Sequence, residues 1–198
     1  DITLYADANQ TLHLNEAVDL CECLARYNVE WLEEPFAPDN VLMHKELISI
    51  LHSRDIKVDI VTGENCPNAH TAIAFMATGS CDRFQADCTR VLSFCELIPI
   101  LIAAKKYGVE IVPHSGGSGL DELVVHLQAF NQSRVLNSST ETALMEYIGF
   151  CSGLFASPTM IQNGRVVLPT HNGYLGGVTY QLDKQSITSN GEVQWLEL

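Results

Sequence analysis

Residues 29–64, VEWLEEPFAPDNVLMHKELISILHSRDIKVDIVTGE, hold one complete strand–helix–strand unit. The apolar run Val29 to Leu32 stops at Glu33-Glu34-Pro35, helical periodicity fills Val41 to His52, and a second apolar run, Val58 to Thr62, stops at Gly63-Glu64. Two strands joined through a helix of that length pair in parallel, because only a crossover brings the chain back to the same rim of a sheet. Both strands then end on one rim, and each ends on a carboxylate.

The unit recurs in both directions. Upstream, Ile2 to Ala6 predicts a strand reaching Asp7, and Asn15 predicts the cap of a helix with Ala17, Leu20, Cys21 and Leu24 facing inward. Downstream, Ala69 to Thr78 reads as a helix and Arg83 to Ala86 as a strand ending at Asp87. Ser93 to Tyr107 reads as a helix with Leu97, Ile98, Leu101 and Ile102 inward, stopped by Gly108, with Pro99 marking either a kink or a later start. Val109 to Val112 is a strand ending at Pro113-His114, Leu120 to Phe130 is a helix, and a last apolar stretch ends near Glu146. This alternation predicts an α/β protein built from (β/α) barrel units over residues 1–156. From Ser157 the helices stop, and glycines and prolines punctuate short β-like pieces, so 157–198 reads as a separate tail.

Composition narrows the function. With 24 acidic and 11 basic residues the formal charge is −13, which excludes a phosphate-backbone reader and disfavours an anionic membrane surface. Seven cysteines without a C-x-x-C spacing argue for reduced, mostly buried thiols rather than a disulfide framework or a zinc site. With no secretory leader and no apolar run of membrane length, the expected setting is cytoplasm or mitochondrial matrix, not the secretory route. A homo-oligomer is compatible with this reading.

Asp7, Glu33, Glu64, Asp87, His114 and Glu146 all fall at or just past a predicted strand end, 23 to 32 residues apart. One such acid is ordinarily a helix cap or a loop charge. Six in register with the βα period converge instead on the rim where barrel active sites are built. Three carboxylates on consecutive strands repel one another unless a divalent cation stands between them, and an all-oxygen set suits Mg²⁺. Either Glu33 or its neighbour Glu34 can serve as the second of these. Asp87 beside His114 predicts an imidazole held in one tautomer for acid/base work on a cation-bound substrate. Phe36 and Tyr147 flank strand-end residues and suit either the pocket or the packing. The other histidines, His44 among them, show no such register.

The phrases Asp7-Ala8-Asn9-Gln10, Trp31-Leu32-Glu33-Glu34-Pro35, Gly63-Glu64-Asn65, Gln85-Ala86-Asp87 and Pro113-His114 resemble the mandelate racemase branch of the enolase superfamily. Within it, Glu33 to Asp39, Gly63 to Asn68, His114 to Leu123, Met145-Glu146-Tyr147 and Met160 to Gly164 are similar to L-fuconate dehydratases and their mitochondrial animal relatives. The resemblance implies Mg²⁺ on Asp7, Glu33 and Glu64, His114 as acid/base supported by Asp87, and Glu146 holding the substrate carboxylate or enolate. It implies dehydration of a sugar acid to a 2-keto-3-deoxy acid. A hydroxy-acid racemase or epimerase shares the same chemistry without a leaving group, and a non-catalytic cation-binding unit is the alternative of another class. The family's Lys-x-Lys strand and amino-terminal capping domain precede the region matched here. The expectation is therefore a partial barrel, roughly the last six of eight strands. The segment Cys88 to Ser93 departs from the glycine-containing turn of the relatives.

Overall fold

The computed structural model describes residues 2–91, 93–139, 143–150, 152–155 and 158–168. Five strands, β1 (Leu4–Asp7), β2 (Val29–Glu33), β3 (Asp59–Thr62), β4 (Arg83–Phe84) and β5 (Glu110–Ile111), lie in chain order and pair in parallel throughout. Helices α1 (Leu14–Arg26), α2 (Val41–Ser53), α3 (Ala69–Thr78) and α4 (Phe94–Tyr107) connect them, and α5 (Leu120–Phe130) follows β5. A strand order that never reverses is the order of a barrel arc, whereas a doubly wound sheet turns back on itself. The expected α/β architecture with a parallel sheet is the observed one.

Side chains alternate across each strand. Leu32, Ile60, Phe84 and Ile111 face the helices and are buried in two clusters. One cluster packs β2 and β3 against α1 and α2; the other packs β4 and β5 against α3, α4 and α5. His44 belongs to this packing, fully buried with its ring edge-on to Phe36 and Phe75 and its Nδ1 2.9 Å from the Asn40 carbonyl. Phe36 is thus a core residue.

On the other face of the sheet Trp31, Val61 and Val112 form a small apolar cluster. Below it, at the amino-terminal strand ends, Arg83 of β4 pairs with Glu30 of β2 (2.6 Å), Asp59 of β3 (3.5 Å) and Glu110 of β5 (3.0 Å). Its guanidinium also lies 5.1 Å from the centre of the Trp31 ring, which itself stacks on Tyr5 of β1. One cation therefore ties four strands together at the rim opposite the carboxylates discussed below.

Three expectations change, and one helix continues beyond its expected end. Helix α1 begins from His13, whose N–H donates to Glu16 (2.8 Å), so Asn15 lies inside the first turn. Helix α4 buries Leu97, Ile100, Leu101 and Ala104, while Ile98 and Ile102 are exposed. Its sequence is apolar on nearly every side, so periodicity alone left the inward face undetermined by about one position. The stretch ending near Glu146 is not a strand within the described residues 143–150. Its polar backbone is met by side chains instead: Gln128 Nε2 donates to the Leu144 carbonyl (2.5 Å) and to that of Ile111 in β5 (3.1 Å), and Asp121 accepts the N–H groups of Ile148 (3.3 Å) and Gly149 (2.7 Å). Finally, α5 runs on into a π-helical turn, Asn131–Leu136.

In the tail, β6 (Ile161–Gln162) and β7 (Arg165–Val166) form an antiparallel hairpin through Asn163 and Gly164, both in the left-handed region as a tight hairpin turn requires. Ser157 and residues 169–198 of the tail lie outside the described residues. Among the described residues no cysteine is paired, and Cys21, Cys66, Cys81 and Cys88 are buried; Cys151 lies outside them. No described helix is long and apolar enough to cross a membrane.

Replacing Arg83 by Met leaves three carboxylates facing one another with no cation between them. These acids are partly solvated, so the expected loss is about 2 kcal/mol in urea unfolding. A variant as stable as the parent would show that the cluster does not hold the strands together.

Candidate functional site

Asp7 closes β1 and Glu33 closes β2, directly opposite each other in the ladder. Glu64 lies two residues beyond β3, Asp87 three beyond β4 and His114 three beyond β5, all at the carboxyl ends. Ladder bonds run on past the strands, from Ala8 N–H to the Glu33 carbonyl (3.0 Å), from Glu34 N–H to Val61 (2.9 Å) and from His114 N–H to Ala86 (3.3 Å), so these residues share one rim.

Glu33 and Glu34 differ in backbone conformation and in partners. Glu34 sits at φ 39°, a left-handed conformation uncommon for a side-chain-bearing residue. Its buried carboxylate is taken up by Gln10 Nε2 (2.7 Å) and Asn65 Nδ2 (3.1 and 3.2 Å). Glu33 faces the rim. Burial first, then the charges of Asp7, Glu64 and Glu146, raise its carboxyl to about 7, against a lowering hydrogen bond with Gln85. Burial likewise raises Glu64, with Glu34, Asp7 and Glu146 adding to it and His114 opposing it.

Glu64 is placed by Gly63, whose φ is 133°. A Cβ there would stand 2.8 Å from the Phe84 ring and 2.9 Å from the Gln85 nitrogen, so strand β4 closes against bare backbone.

His114 Nδ1 lies 2.9 Å from Glu146 Oε2 and 3.2 Å from Glu64 Oε2. Burial disfavours its charge, but Glu146, Glu64 and Asp87 outweigh that and raise the imidazole above its ordinary value. Glu146 is correspondingly lowered: burial works against its charge, and His114 and the Ser115 N–H (2.6 Å) prevail. Asp87 stands farther off, 3.7 Å from Nε2, at ion-pair rather than hydrogen-bond distance. Its Oδ1 is committed to the turn that follows, accepting Thr89 N–H (2.5 Å), Thr89 Oγ1–H (2.7 Å) and Arg90 N–H (3.0 Å). The atypical segment after Asp87 is therefore organised by Asp87 itself. The hydrogen-bond partner of Nε2 is the Gly116 N–H (3.1 Å), which places the proton of the neutral ring on Nδ1, toward the carboxylates.

Gly116 packs so closely that a Cβ would fall 2.4 Å from both Cε1 and Nε2 of His114. The stretch from Ser115 to Gly119 thus includes a position where any side chain collides with the imidazole. Gln85, Asn65 and Gln10 also belong to the site although no role was read for them. The available signal was strand parity, which puts Gln85 on the same face of β4 as Asp87.

No three His, Cys, Asp or Glu side chains among the described residues form a chelating group as they stand. Asp7 accepts from Asn9 N–H (2.8 Å) and Nδ2 (2.9 Å), and Glu64 accepts from Asn65 Nδ2 (2.8 Å) while contacting His114. The chemistry of the set nevertheless fits a hard divalent cation: oxygen donors on three adjacent strands, with Glu33 raised by the very charges a cation would neutralise. Tyr147 is exposed, and its hydroxyl donates to the Thr159 carbonyl (3.5 Å).

Comparison with known proteins agrees with the parallel α/β fold. Residues 1–184 match the family described as enolase C-terminal domain-like. The chain is 33% identical over 193 residues to an L-galactonate dehydratase of Hypocrea jecorina, covering 97% of this chain and 42% of that protein. It is 34% identical over 196 residues to the mitochondrial enolase superfamily member 1 of Homo sapiens, covering 99% and 43%. The crystal structure of that human protein superposes with a TM-score of 0.82 at 32% identity, over 93% of this chain and 40% of the other. An L-talarate dehydratase from a Polaromonas species, crystallised with Mg and L-glucarate, superposes with a TM-score of 0.75 at 25% identity, over 94% and 44%. The chain spans less than half the length of each of these proteins.

Two outcomes follow from the geometry. A carboxyl raised to about 7 when folded, against about 4.5 when unfolded, contributes stability below pH 4.5 that is lost as pH rises to 7. In EDTA the melting temperature should therefore fall between pH 5 and pH 8, and fall less in Glu33→Gln; identical slopes would contradict the charge cluster. Gly116→Ala should push the His114 ring away from Glu146 and return its titration midpoint, followed by NMR, toward the ordinary 6.5. An unchanged midpoint would mean the loop yields instead of the ring.

Proposed function

The chain belongs to the enolase C-terminal domain-like family, and from that premise we propose that it carries the cation-binding and acid/base part of a Mg²⁺-dependent dehydratase acting on an L-fuconate-like sugar acid. The single observation behind this is the meeting of the Asp7–Glu33–Glu64 rim with His114, which Glu64 touches directly. Relatives named as dehydratases of L-galactonate and L-talarate, the latter crystallised with Mg and a sugar diacid, support the same reaction class.

In this reading Asp7, Glu33 and Glu64 hold the cation. Bound there, Mg²⁺ would supply positive charge to the substrate carboxylate, and the α-proton would pass to the lysine base that the family carries on its Lys-x-Lys strand. His114 holds a proton at Nδ1, kept there near neutral pH by Glu146 and Glu64, and delivers it to the departing 3-hydroxyl, which leaves as water. Asp87 contributes its charge to the same imidazole from the Nε2 side. Glu146, beside Nδ1, holds that proton in place and, with the Ser115 N–H, borders the position of the substrate carboxylate. The sugar acid is then left as its 2-keto-3-deoxy product.

One observation favours a second reading, a cation-binding unit without turnover. The four described lysines are engaged elsewhere, Lys45 with the Gly79 carbonyl, Lys57 with Asp55, Lys105 with the Val135 carbonyl and Lys106 over Tyr107. No lysine among the described residues stands at the site as a second base.

Calorimetric Mg²⁺ titration together with a 2-keto acid assay on L-fuconate, L-galactonate and L-rhamnonate separates these readings. Expected are Mg²⁺ binding by the parent, at least about tenfold weaker binding in Glu64→Gln, unchanged binding in His114→Asn, and keto acid formed by the parent alone. Deuterium exchange at the α-carbon without keto acid would make it a racemase or epimerase. Binding without either reaction would leave the cation-binding unit, and unaltered Mg²⁺ affinity in Glu64→Gln would remove the ligand assignment.

A further inference from the structure

Asp121 opens α5, and an acid in the first turn of a helix ordinarily faces the helix dipole or caps its own amides. Asp121 does neither. It is 3% exposed, and its hydrogen-bond donors all come from outside its helix. Oδ1 accepts the Ser115 hydroxyl (2.5 Å) and the Ile148 N–H (3.3 Å), and Oδ2 accepts the Gly149 N–H (2.7 Å). Ser115, fully buried, follows His114, and its N–H donates to Glu146 Oε2 (2.6 Å), the same oxygen that lies 2.9 Å from His114 Nδ1. Ile148 and Gly149 follow Glu146 on the segment that lacks a strand ladder.

We propose that Asp121 is a positioning residue for the His114–Glu146 pair, one carboxylate that grips the segment carrying each member and sets the distance between them. A ladder fixes His114 from one side, through its N–H to Ala86. Among the described residues no ladder bond supports Glu146, and Asp121 and Gln128 side chains hold its segment. Uncharged substitutes give up an acceptor oxygen that buried N–H and O–H groups need, and those groups then pull away to find water. The importance of the pair for turnover rests on the dehydratase reading; the clamp itself does not.

The test is amide NMR and hydrogen exchange on the full chain, which need no substrate. In the parent the Ser115 amide proton should resonate far downfield, as a short bond to a carboxylate requires. In Asp121→Asn that resonance should move upfield, and Ser115 and Gly149 should exchange about tenfold faster while the core amides of α3 and α4 keep their rates. Ser115→Ala removes only the hydroxyl arm, so residue 115 should loosen while Gly149 stays protected; this variant decides the matter if Asp121→Asn does not fold. Unchanged resonance and exchange at residue 115 in a folded variant, or uniformly faster exchange across the core, would overturn the clamp. Absence of keto acid formation with the NMR signature intact would overturn the dehydratase reading and leave the clamp standing.

Discussion

Carboxylates gathered on one low-dielectric rim repel one another, and a fold that gathers them must supply a positive partner. Glu33, Glu64 and Glu146 are half-buried here beside the exposed Asp7, and burial first, then the neighbouring charges, raises Glu33 to about 7. The imidazole of His114 meets part of the demand by standing between Glu64 and Glu146. The amides of Asn9 and Asn65 meet another part. Neutral donors and one histidine leave net negative charge on this rim.

The opposite rim solves the inverse problem. There one guanidinium, Arg83, is surrounded by Glu30, Asp59 and Glu110 and backed by the Trp31 ring. The apolar layer of Trp31, Val61 and Val112 separates the two. A cation with acids at the floor joins four strands, and an excess of acids leaves the top negative. The formal charge of −13 is therefore not spread evenly in its consequences.

Close approach is the other requirement of the site. Gly63 lets β4 reach the backbone that precedes Glu64, and Gly116 lets the chain fold over the imidazole face. Around His114 the nearest charged partner is Glu146, not Asp87, because Asp87 spends one oxygen on the turn after β4. The segment bearing Glu146 is correspondingly held by side chains rather than by a ladder. Precision at this end of the site depends on buried polar groups, where losing one partner is felt by the next.

Residue order alone determined the repeat and the rim. Apolar runs of strand length alternating with helical periods can be satisfied only by parallel strands covered by helices, and in such a sheet every strand ends on the same side. That places Asp7, Glu33, Glu64, Asp87 and His114 together before any coordinate is known. Periodicity was silent where a helix is apolar all round, as in α4, and misleading where a short apolar stretch finds its partners in side chains, as before Glu146. The different partners of Glu33 and Glu34, the contact of His114 with Glu146 ahead of Asp87, and the grip of Asp121 on two distant loops depend on which atoms meet across the fold. Such meetings are set by backbone turns and packing between segments far apart in the chain, and only the tertiary structure decides them.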